Sequence, residues 1–195
     1  MSQFPDAAFL TSANRVDQLV ADSGAEVAFA GRSNAGKSSA INTIVNRKQF
    51  ARISKTPGRT QLINFFTLAD QRRLVDLPGY GYAKVAKSMQ RHWKALMEQY
   101  FAERQSLTGM FLIVDVRRGI GDFDEQMLQF AEALQIPTHV LLTKADKLKR
   151  GQAAKQFQMT RRELGERASV QLFSSLNRDG TVQAREQLAA FLDFR

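Results

Sequence analysis

One eight-residue segment, GRSNAGKS, constrains the fold of this 195-residue chain more than any other part of the sequence. It fits the pattern of a phosphate-binding (Walker A) loop and lies between an apolar run and a stretch of helical spacing, the context that such a loop requires. Its glycines would let backbone amides surround a diphosphate, Lys37 would neutralise the outer phosphates, and the Ser38 hydroxyl would bind Mg²⁺. A glycine turn capped by serine would not account for the lysine. We therefore interpret the segment as a nucleotide-binding loop, which comprises Gly31, Arg32, Ser33, Asn34, Ala35, Gly36, Lys37 and Ser38.

Short apolar runs alternate with segments of helical spacing along the chain. The runs have the length of buried strands and cover residues 27–31, 73–78, 110–116, 139–146 and 170–175. This alternation predicts an α/β fold, a three-layer phosphate-loop domain whose mostly parallel sheet carries helices on both faces. Residues 61–69 resemble the first arm of a hairpin and predict one antiparallel strand. In such a sheet, ligands bind beyond the carboxyl ends of the strands.

Length and composition point to one nucleotide-binding domain. Hydrophobic residues make up 44% of the chain and charged residues 24%, which is ordinary globular usage. We place the domain at residues 25–195. Residues 1–24 precede the first core strand, and we expect them to form an arm packed on the domain, with a short helix around residues 14–20.

A second motif, DLPG, follows directly after a predicted strand. The carboxylate of Asp76 could hold Mg²⁺ through water, and the amide of Gly79 could approach a terminal phosphate. Alone, the motif would be an ordinary turn. Together with the phosphate loop, it favours a nucleotide-binding role for Asp76, Leu77, Pro78 and Gly79.

A third motif, TKAD, ends a later strand and selects the base. The Asp146 carboxylate could accept hydrogen bonds from the ring NH and the exocyclic amine of guanine, whereas adenine offers no such pair. The stem of Lys144 could lie along the purine. The motif comprises Thr143, Lys144, Ala145 and Asp146; a fourth segment, Phe173, Ser174 and Ser175, ends the last strand where a backbone amide could contact the guanine carbonyl.

The formal net charge of +9 favours a polyanionic partner such as nucleic acid, with a generically basic surface as an equal alternative. The absence of cysteine excludes disulfides, thiolate metal sites and cysteine nucleophiles. The first ten residues lack a basic segment followed by an apolar core, and no apolar run approaches membrane-spanning length. We expect a cytoplasmic monomer without membrane insertion.

The four motifs, in this order, resemble those of the translation-factor-related GTPases, although Thr143 stands where asparagine is more frequent. The combination of GRSNAGKSS, SKTPGRTQLINFF, DLPGYGYA, TKADKL and FSS, with the amino-terminal arm, is similar to the EngB family, also called YihA or YsxC. The resemblance covers essentially the whole chain. It implies a bacterial GTPase that takes part in assembly of the large ribosomal subunit and is associated with cell division and septation.

The resemblance also places the first switch segment, where spacing alone leaves Thr56 and Thr60 as alternatives. It implies that Thr60 is the second Mg²⁺ ligand besides Ser38, and that the nucleotide-binding segment comprises Gly58, Arg59, Thr60, Gln61 and Leu62. Catalytic roles fall to Lys37, Thr60 and Gly79. Tyr80 stands where many relatives place a water-orienting glutamine, so we expect slow intrinsic hydrolysis. Asn34 matches an asparagine that binds K⁺ in related GTPases, or it simply braces the loop.

These observations predict a Mg²⁺-dependent GTPase switch that binds GTP and GDP and controls a large-subunit partner. An ATP-using kinase is disfavoured by TKAD. A recruitment protein of the division machinery, with incidental GTP turnover, is the alternative. Ribosomal RNA would meet two groups of cations outside the nucleotide motifs: Lys84, Lys87, Arg91 and Lys94, and Lys147, Lys149, Arg150 and Lys155.

Overall fold

The structure, a computed structural model, describes residue 4 and residues 6–51, 62–81 and 87–193, with residues 87–90 described by their backbone. Seven strands form one sheet: β1 (Ala8–Ala13), β2 (Ala25–Gly31), β3 (Ile63–Thr67), β4 (Arg72–Asp76), β5 (Leu107–Asp115), β6 (Thr138–Thr143) and β7 (Ser169–Leu172). Five α-helices accompany them within the described residues: α1 (Lys37–Ile44), α2 (Lys87–Glu103), α3 (Asp122–Ala133), α4 (Arg150–Leu164) and α5 (Thr181–Asp193). The predicted α/β architecture is confirmed.

The sheet has the strand order β1-β3-β4-β2-β5-β6-β7. Strands β4, β2, β5, β6 and β7 pair in parallel, and β3 is antiparallel to both β1 and β4. The predicted antiparallel strand is therefore β3. Its hairpin to β4 turns at Asp70 and Gln71, which have φ values of 51° and 59°. Positive φ at both central positions gives the tight turn whose twist matches the two strands.

The amino-terminal arm contributes an edge strand that we did not predict. Residues of β1 pair with β3, with Ala13 opposite Ile63, and Ser12 donates a hydrogen bond of 2.7 Å to the Asn64 side chain. The short helix expected around residues 14–20 is a single 3-10 turn, Val16–Gln18. The sequence of β1 carries no strict alternation because its first three residues are exposed, on both faces of the strand, and Phe9 is 58% exposed.

The two faces of the sheet carry separate apolar clusters. Along β5, Met110 and Leu112 pack on the face that carries α2 and α3, while Phe111 and Ile113 pack on the face that carries α1 and α5. Successive side chains of a strand point to opposite faces, so a strand buried on both faces reads as a continuous apolar run. This explains why these strands were recognisable from the sequence.

The carboxyl ends of the parallel strands meet at one edge of the sheet. Gly31 at the end of β2 is opposite Ile113 in β5, and Asp115 at the end of β5 is opposite Thr143 in β6. Strand β6 includes only the first residue of TKAD and stops at Thr143, and β7 stops at Leu172, directly before the FSS segment. The predicted strands 139–146 and 170–175 were therefore too long, because their last residues form the loops at this edge.

Candidate nucleotide-binding site

The phosphate loop connects β2 to α1 through backbone conformations that its residues favour. Gly36, directly before α1, has φ 101°, and Asn34 has φ 62°. Glycine adopts positive φ without steric cost, and asparagine tolerates it better than most residues. A side chain at Gly31 would place its Cβ 2.7 Å from the Ile113 carbonyl oxygen of β5. The loop therefore lies tightly against the sheet edge and directs the amino terminus of α1, with its unpaired amides, outward.

The DLPG motif contacts the phosphate loop directly. Lys37 forms an ion pair with the Asp76 carboxylate at the end of β4. The backbone amide of Ser33 donates a hydrogen bond of 2.9 Å to the Tyr80 carbonyl, and a Cβ on Gly79 would lie 3.4 Å from the Ser33 backbone. Leu77 donates its amide to the Phe29 carbonyl, and the Pro78 carbonyl accepts from the Trp93 indole. The structure thus brings the first two predicted motifs together.

The first half of TKAD braces the phosphate loop from the other side. The Thr143 hydroxyl, in a residue that is 2% exposed, lies 2.5 Å from the Ala35 carbonyl oxygen and 3.0 Å from that of Val114. The Lys144 ammonium lies 2.5 Å from the Asn34 carbonyl oxygen. Lys144 therefore extends across the phosphate loop. Threonine performs the loop contact here in a position where asparagine is more frequent.

The second half of the motif orients a carboxylate. Ser174 donates a hydrogen bond of 2.7 Å to Asp146 Oδ1, and Lys147 lies 3.3 Å from Oδ2. The hydrogen bond from Ser174 lowers the pKa of Asp146, so the acid is ionised at neutral pH. Ala145 donates its amide to the Phe173 carbonyl, which ties the motif to the FSS segment.

Within the FSS segment, the backbone amides differ in availability. The amide of Phe173 donates to the Leu142 carbonyl and that of Ser174 donates to the Asp179 carbonyl. The Ser175 amide makes no hydrogen bond to any other residue that the structure describes, and Ser175 is half-buried. Of the three amides, that of Ser175 could therefore reach a ligand.

Asp115 is a site residue that we did not predict. Its carboxylate accepts hydrogen bonds of 2.9 and 2.6 Å from Arg117 and lies 3.0 Å from the Lys144 ammonium. Burial alone would raise the pKa of Asp115, but the hydrogen bonds from Arg117 and Lys144 outweigh it and hold the pKa well below its usual range. Asp115 thus fixes the position of Lys144. The available signal was an acid at the end of the apolar run MFLIVD, as in RLVD with Asp76.

The side chain of Tyr80 is held by α3. Its hydroxyl donates a hydrogen bond of 2.6 Å to Asp124 near the start of α3, and its ring packs on Trp93 with 5.9 Å between centroids. Burial raises the pKa of both Tyr80 and Asp124. The Gly121 amide donates to the second oxygen of Asp124 at 3.0 Å. The residue after Gly79 is thus held by the buried Asp124 in the first turn of α3.

Several predicted residues lie outside the described residues: Thr56, Gly58, Arg59, Thr60, Gln61 and Lys84, together with the Lys87 side chain. Leu62 is half-buried and lies directly before β3. Among the described residues, Ser38 in the first turn of α1 and Asp76 present a hydroxyl and a carboxylate oxygen. These oxygen donors fit Mg²⁺, which prefers few protein ligands besides phosphate oxygens and water. Within the same residues, no group of three or more His, Cys, Asp or Glu side chains forms a separate metal site.

A parallel sheet with these motifs ordered along its carboxyl edge defines the class of phosphate-loop GTPases. A family model described as a 50S ribosome-binding GTPase matches residues 26–144. The chain is 49% identical over 190 residues to the probable GTP-binding protein EngB of Xylella fastidiosa (strain 9a5c), with 95% of this chain and 94% of the relative covered. It is also 49% identical to the EngB of Stenotrophomonas maltophilia (strain K279a), with 95% of each covered. The chain belongs to the EngB family of GTP-binding proteins.

Solved structures share the fold. A crystal structure of a probable GTP-binding protein EngB superposes with a TM-score of 0.66 at 24% identity, covering 88% of this chain and 100% of the other. Era of Aquifex aeolicus, bound to GDP and aluminium fluoride, superposes with a TM-score of 0.67 at 20% identity, covering 85% and 56%. Among the described helices, none has the length and apolarity needed to cross a membrane.

Proposed function

We propose that this protein is a Mg²⁺-dependent switch that binds GTP and GDP, hydrolyses GTP slowly and acts in the cytoplasm, as a monomer, on assembly of the large ribosomal subunit. The EngB relatives are named GTP-binding proteins, and the matching family model is described as 50S ribosome-binding. These names support the nucleotide and the class of partner.

One observation carries the choice of nucleotide: the ionised Asp146 carboxylate is held by Ser174 beside a phosphate loop that Thr143 and Lys144 brace. An ionised carboxylate is an acceptor only, so it suits the two adjacent NH donors of guanine. An adenine base would donate no such pair of hydrogen bonds to this acid and would displace water from it. Buried unpaired polar groups cost about 1 to 3 kcal/mol, enough for strong discrimination.

Titration with fluorescent GDP, GTP, ADP and ATP tests this choice, with and without Mg²⁺. We expect micromolar or tighter binding of the guanine nucleotides and at least about tenfold weaker binding of the adenine nucleotides. Lys37→Ala should weaken GTP binding more than GDP binding because the lysine charge neutralises the outer phosphates. Equal affinity for ATP and GTP would overturn the guanine assignment.

Hydrolysis in this proposal is phosphoryl transfer to water, without a covalent intermediate. Lys37 would lie on the outer phosphates, Ser38 and Thr60 would hold Mg²⁺, and the Gly79 amide would contact the terminal phosphate. When Mg²⁺ is bound, it neutralises phosphate charge. Lys37 would then leave Asp76, whose carboxylate would hold water on the ion. The switch segments around Thr60 and Gly79 would order with GTP and relax after hydrolysis.

Slow turnover is supported by Tyr80, whose hydroxyl donates to Asp124 and which has no side-chain amide to orient an attacking water. Intrinsic rates of unstimulated GTPases are on the order of 10⁻⁴ to 10⁻² per second, and we expect this range.

Asn34 is exposed, and its backbone carbonyl accepts a hydrogen bond from Lys144. Rates measured in K⁺ and in Na⁺ distinguish its two roles: a faster rate in K⁺ supports cation binding, and equal rates support loop bracing.

A recruitment role in the division machinery remains the second candidate, supported by the resemblance to a family associated with septation. Co-sedimentation with purified large subunits, in GDP and in a non-hydrolysable GTP analogue, separates the two. The switch predicts tighter association with the GTP analogue and faster hydrolysis in the presence of subunits. Association with division proteins, without a subunit response, would favour recruitment.

A further inference from the structure

A dense group of cations begins directly after Asp146. Residues 147–162 contain no aspartate or glutamate, and they contain the six cations Lys147, Lys149, Arg150, Lys155, Arg161 and Arg162. The whole chain has 19 acidic residues. A stretch of sixteen positions without any of them concentrates positive charge on α4 and on the two lysines that precede it.

The packing of α4 places its cations on one exposed side. Ala153, Thr160 and Leu164 are buried, and the helix contacts β7. At about 100° per residue, Arg150, Lys155, Arg161 and Arg162 fall within an arc of about 140° that contains none of the three buried positions, and all four are exposed. We call these four residues the α4 arc. From Arg150 to Arg162 it is about 18 Å long, over which a nucleic-acid duplex carries about ten phosphates.

The cations of the α4 arc are not neutralised within the part of the chain that the structure describes. None of the four forms an ion pair or a side-chain hydrogen bond there, whereas surface arginines elsewhere do: Arg167 pairs with Glu125 at 2.6 Å and Arg72 with Asp193 at 2.9 Å. Small or uncharged side chains, Gly151, Ala154 and Gln158, separate them. Among the described residues, the arc is therefore a cationic surface without acidic partners.

On the other predicted cationic surface, on α2, one of the two described cationic side chains has an acidic neighbour. Of its described residues, Lys94 lies 3.7 Å from Glu98 on the same helix, and Glu103 follows at the helix end. Helix α3 lies between the two surfaces, since Phe101 of α2 stacks on Phe130 of α3 while Glu125 of α3 pairs with Arg167 beyond α4. The exposed side of α3 carries acids, including Asp122 and Glu132. One polyanion lying flat on both would meet this repulsive strip.

We propose that the α4 arc binds the phosphate backbone of an RNA duplex, a role that rests on the proposed function. An anionic membrane fits the arc less well, because interfacial helices need a large apolar face and the centre of the arc is Gly151, Ala154 and Gln158. The arc follows Asp146, which in the proposed function contacts the guanine base. GDP and GTP have this base in common. RNA binding through the arc is therefore equally strong with either nucleotide, and any preference for GTP arises at the switch segments.

A fluorescent RNA duplex of about two helical turns, titrated by anisotropy over a KCl series, tests the proposal with two matched double variants. Arg161→Gln/Arg162→Gln removes two cations from the arc, and Arg91→Gln/Lys94→Gln removes two exposed cations from α2. The α4 variant should bind between about ten- and a hundredfold more weakly near 0.1 M salt, with a log–log salt slope shallower by about two. The α2 variant, with the same net charge, should stay within about threefold of the parent.

Fluorescent GDP affinity, measured on the same samples, separates this proposal from the proposed function. If GDP binding is normal and the parent and the α4 variant have equal RNA affinity, the proposed RNA binding by the α4 arc is wrong. The proposed GTPase function is unaffected by that result. Lost guanine specificity in the parent instead contradicts the proposed function. Equal weakening by both double variants would show a net-charge effect without a site and would overturn the arc. So would α4-dependent binding to phosphatidylglycerol vesicles without RNA binding.

Discussion

At the scale of single residues, the site is assembled from hydrogen bonds that hold charged groups in place before any ligand arrives. Ser174 orients Asp146, and Asp115 orients Lys144. Thr143 shows that a shorter side chain than asparagine can still join β6 to the phosphate loop, because its hydroxyl reaches the Ala35 carbonyl. Preorganised partners of this kind reduce the side-chain ordering that binding would otherwise require.

Asp146→Asn should shift the base preference of the protein from guanine towards xanthine. The new amide would place a donor against the donors of guanine, so GDP affinity should fall by about 1 to 3 kcal/mol, while xanthosine diphosphate should bind more tightly than before. Nucleotide titration measures both. Asp122→Asn, an exposed carboxylate on α3, is the control. Unchanged GDP affinity in Asp146→Asn would show that this acid does not contact the base.

Thr143→Val should weaken nucleotide binding through the loop. The change keeps the shape of the side chain but leaves the Ala35 carbonyl without its hydroxyl partner, a loss of about 1 to 3 kcal/mol. Thr138→Val is the matched control, because Thr138 is also buried in β6 and bonds the Ile136 carbonyl at the opposite end. Both variants should unfold at lower urea, and only Thr143→Val should change GDP affinity. Equal GDP affinities in the two variants would contradict the bracing role.

At the scale of elements, the turn after β4 is connected to α3 by one buried hydrogen bond. Tyr80 follows the DLPG motif, and its hydroxyl contacts Asp124, which also accepts from the Gly121 amide at the helix start. A carboxylate that caps its own helix and anchors a neighbouring turn joins two elements that the sequence separates by more than forty residues. The motif is thereby fixed to the face of the sheet that carries α2 and α3.

Tyr80→Phe should reduce stability without changing hydrolysis. Loss of the hydroxyl leaves an Asp124 oxygen without its buried partner, and we expect the free energy of unfolding to fall by about 1 to 3 kcal/mol. Packing on Trp93 is retained. The matched control is Tyr100→Phe, which removes a buried hydroxyl that bonds Glu26 at 3.3 Å. Single-turnover rates should stay within about twofold in both variants; a larger change confined to Tyr80→Phe would mean that its hydroxyl reaches the reacting groups.

At the scale of the whole molecule, the nucleotide motifs and the buried ion pairs of Glu26 lie in different parts of the sheet. The nucleotide motifs lie at the carboxyl edge, whereas Glu26, near the start of β2, is fully buried and accepts hydrogen bonds from Arg73 and Arg104. A second buried titratable group, His139 in β6, lies 2.6 Å from Ser169 Oγ and 3.0 Å from Gln171 Oε1. Burial lowers the pKa of His139 to about 4.

The low pKa of His139 should make folding sensitive to mild acid. Between the unfolded value of about 6.5 and the folded value of about 4, the unfolded chain binds a proton that the folded chain does not, so stability falls as pH decreases. The free energy of unfolding should drop by about 2 kcal/mol from pH 7 to pH 5 through this group. Urea denaturation of His139→Gln should show a smaller drop than His92→Gln, the other histidine of the chain. Equal drops in both variants would exclude His139 as the cause.

Local sequence was sufficient for the phosphate loop, for the strands around it and for the motifs at the sheet edge. The glycines that permit the loop conformation lie within the loop itself. Strands that are buried on both faces are apolar along their whole length. Both features are therefore encoded by residues that are close in sequence. The comparison with EngB relatives confirms the family that these motifs indicated.

Only the tertiary structure decided which distant groups meet. The pairing of β1 with β3, the contact of Asp115 with Lys144 and that of Tyr80 with Asp124 each join residues far apart in the chain. The two basic segments were equivalent as sequence, yet Lys94 lies beside Glu98 while the α4 arc is left without acidic partners in the described residues. Such differences arise because ion pairs and edge strands depend on spatial neighbours, and neighbours are set by how helices pack on the sheet.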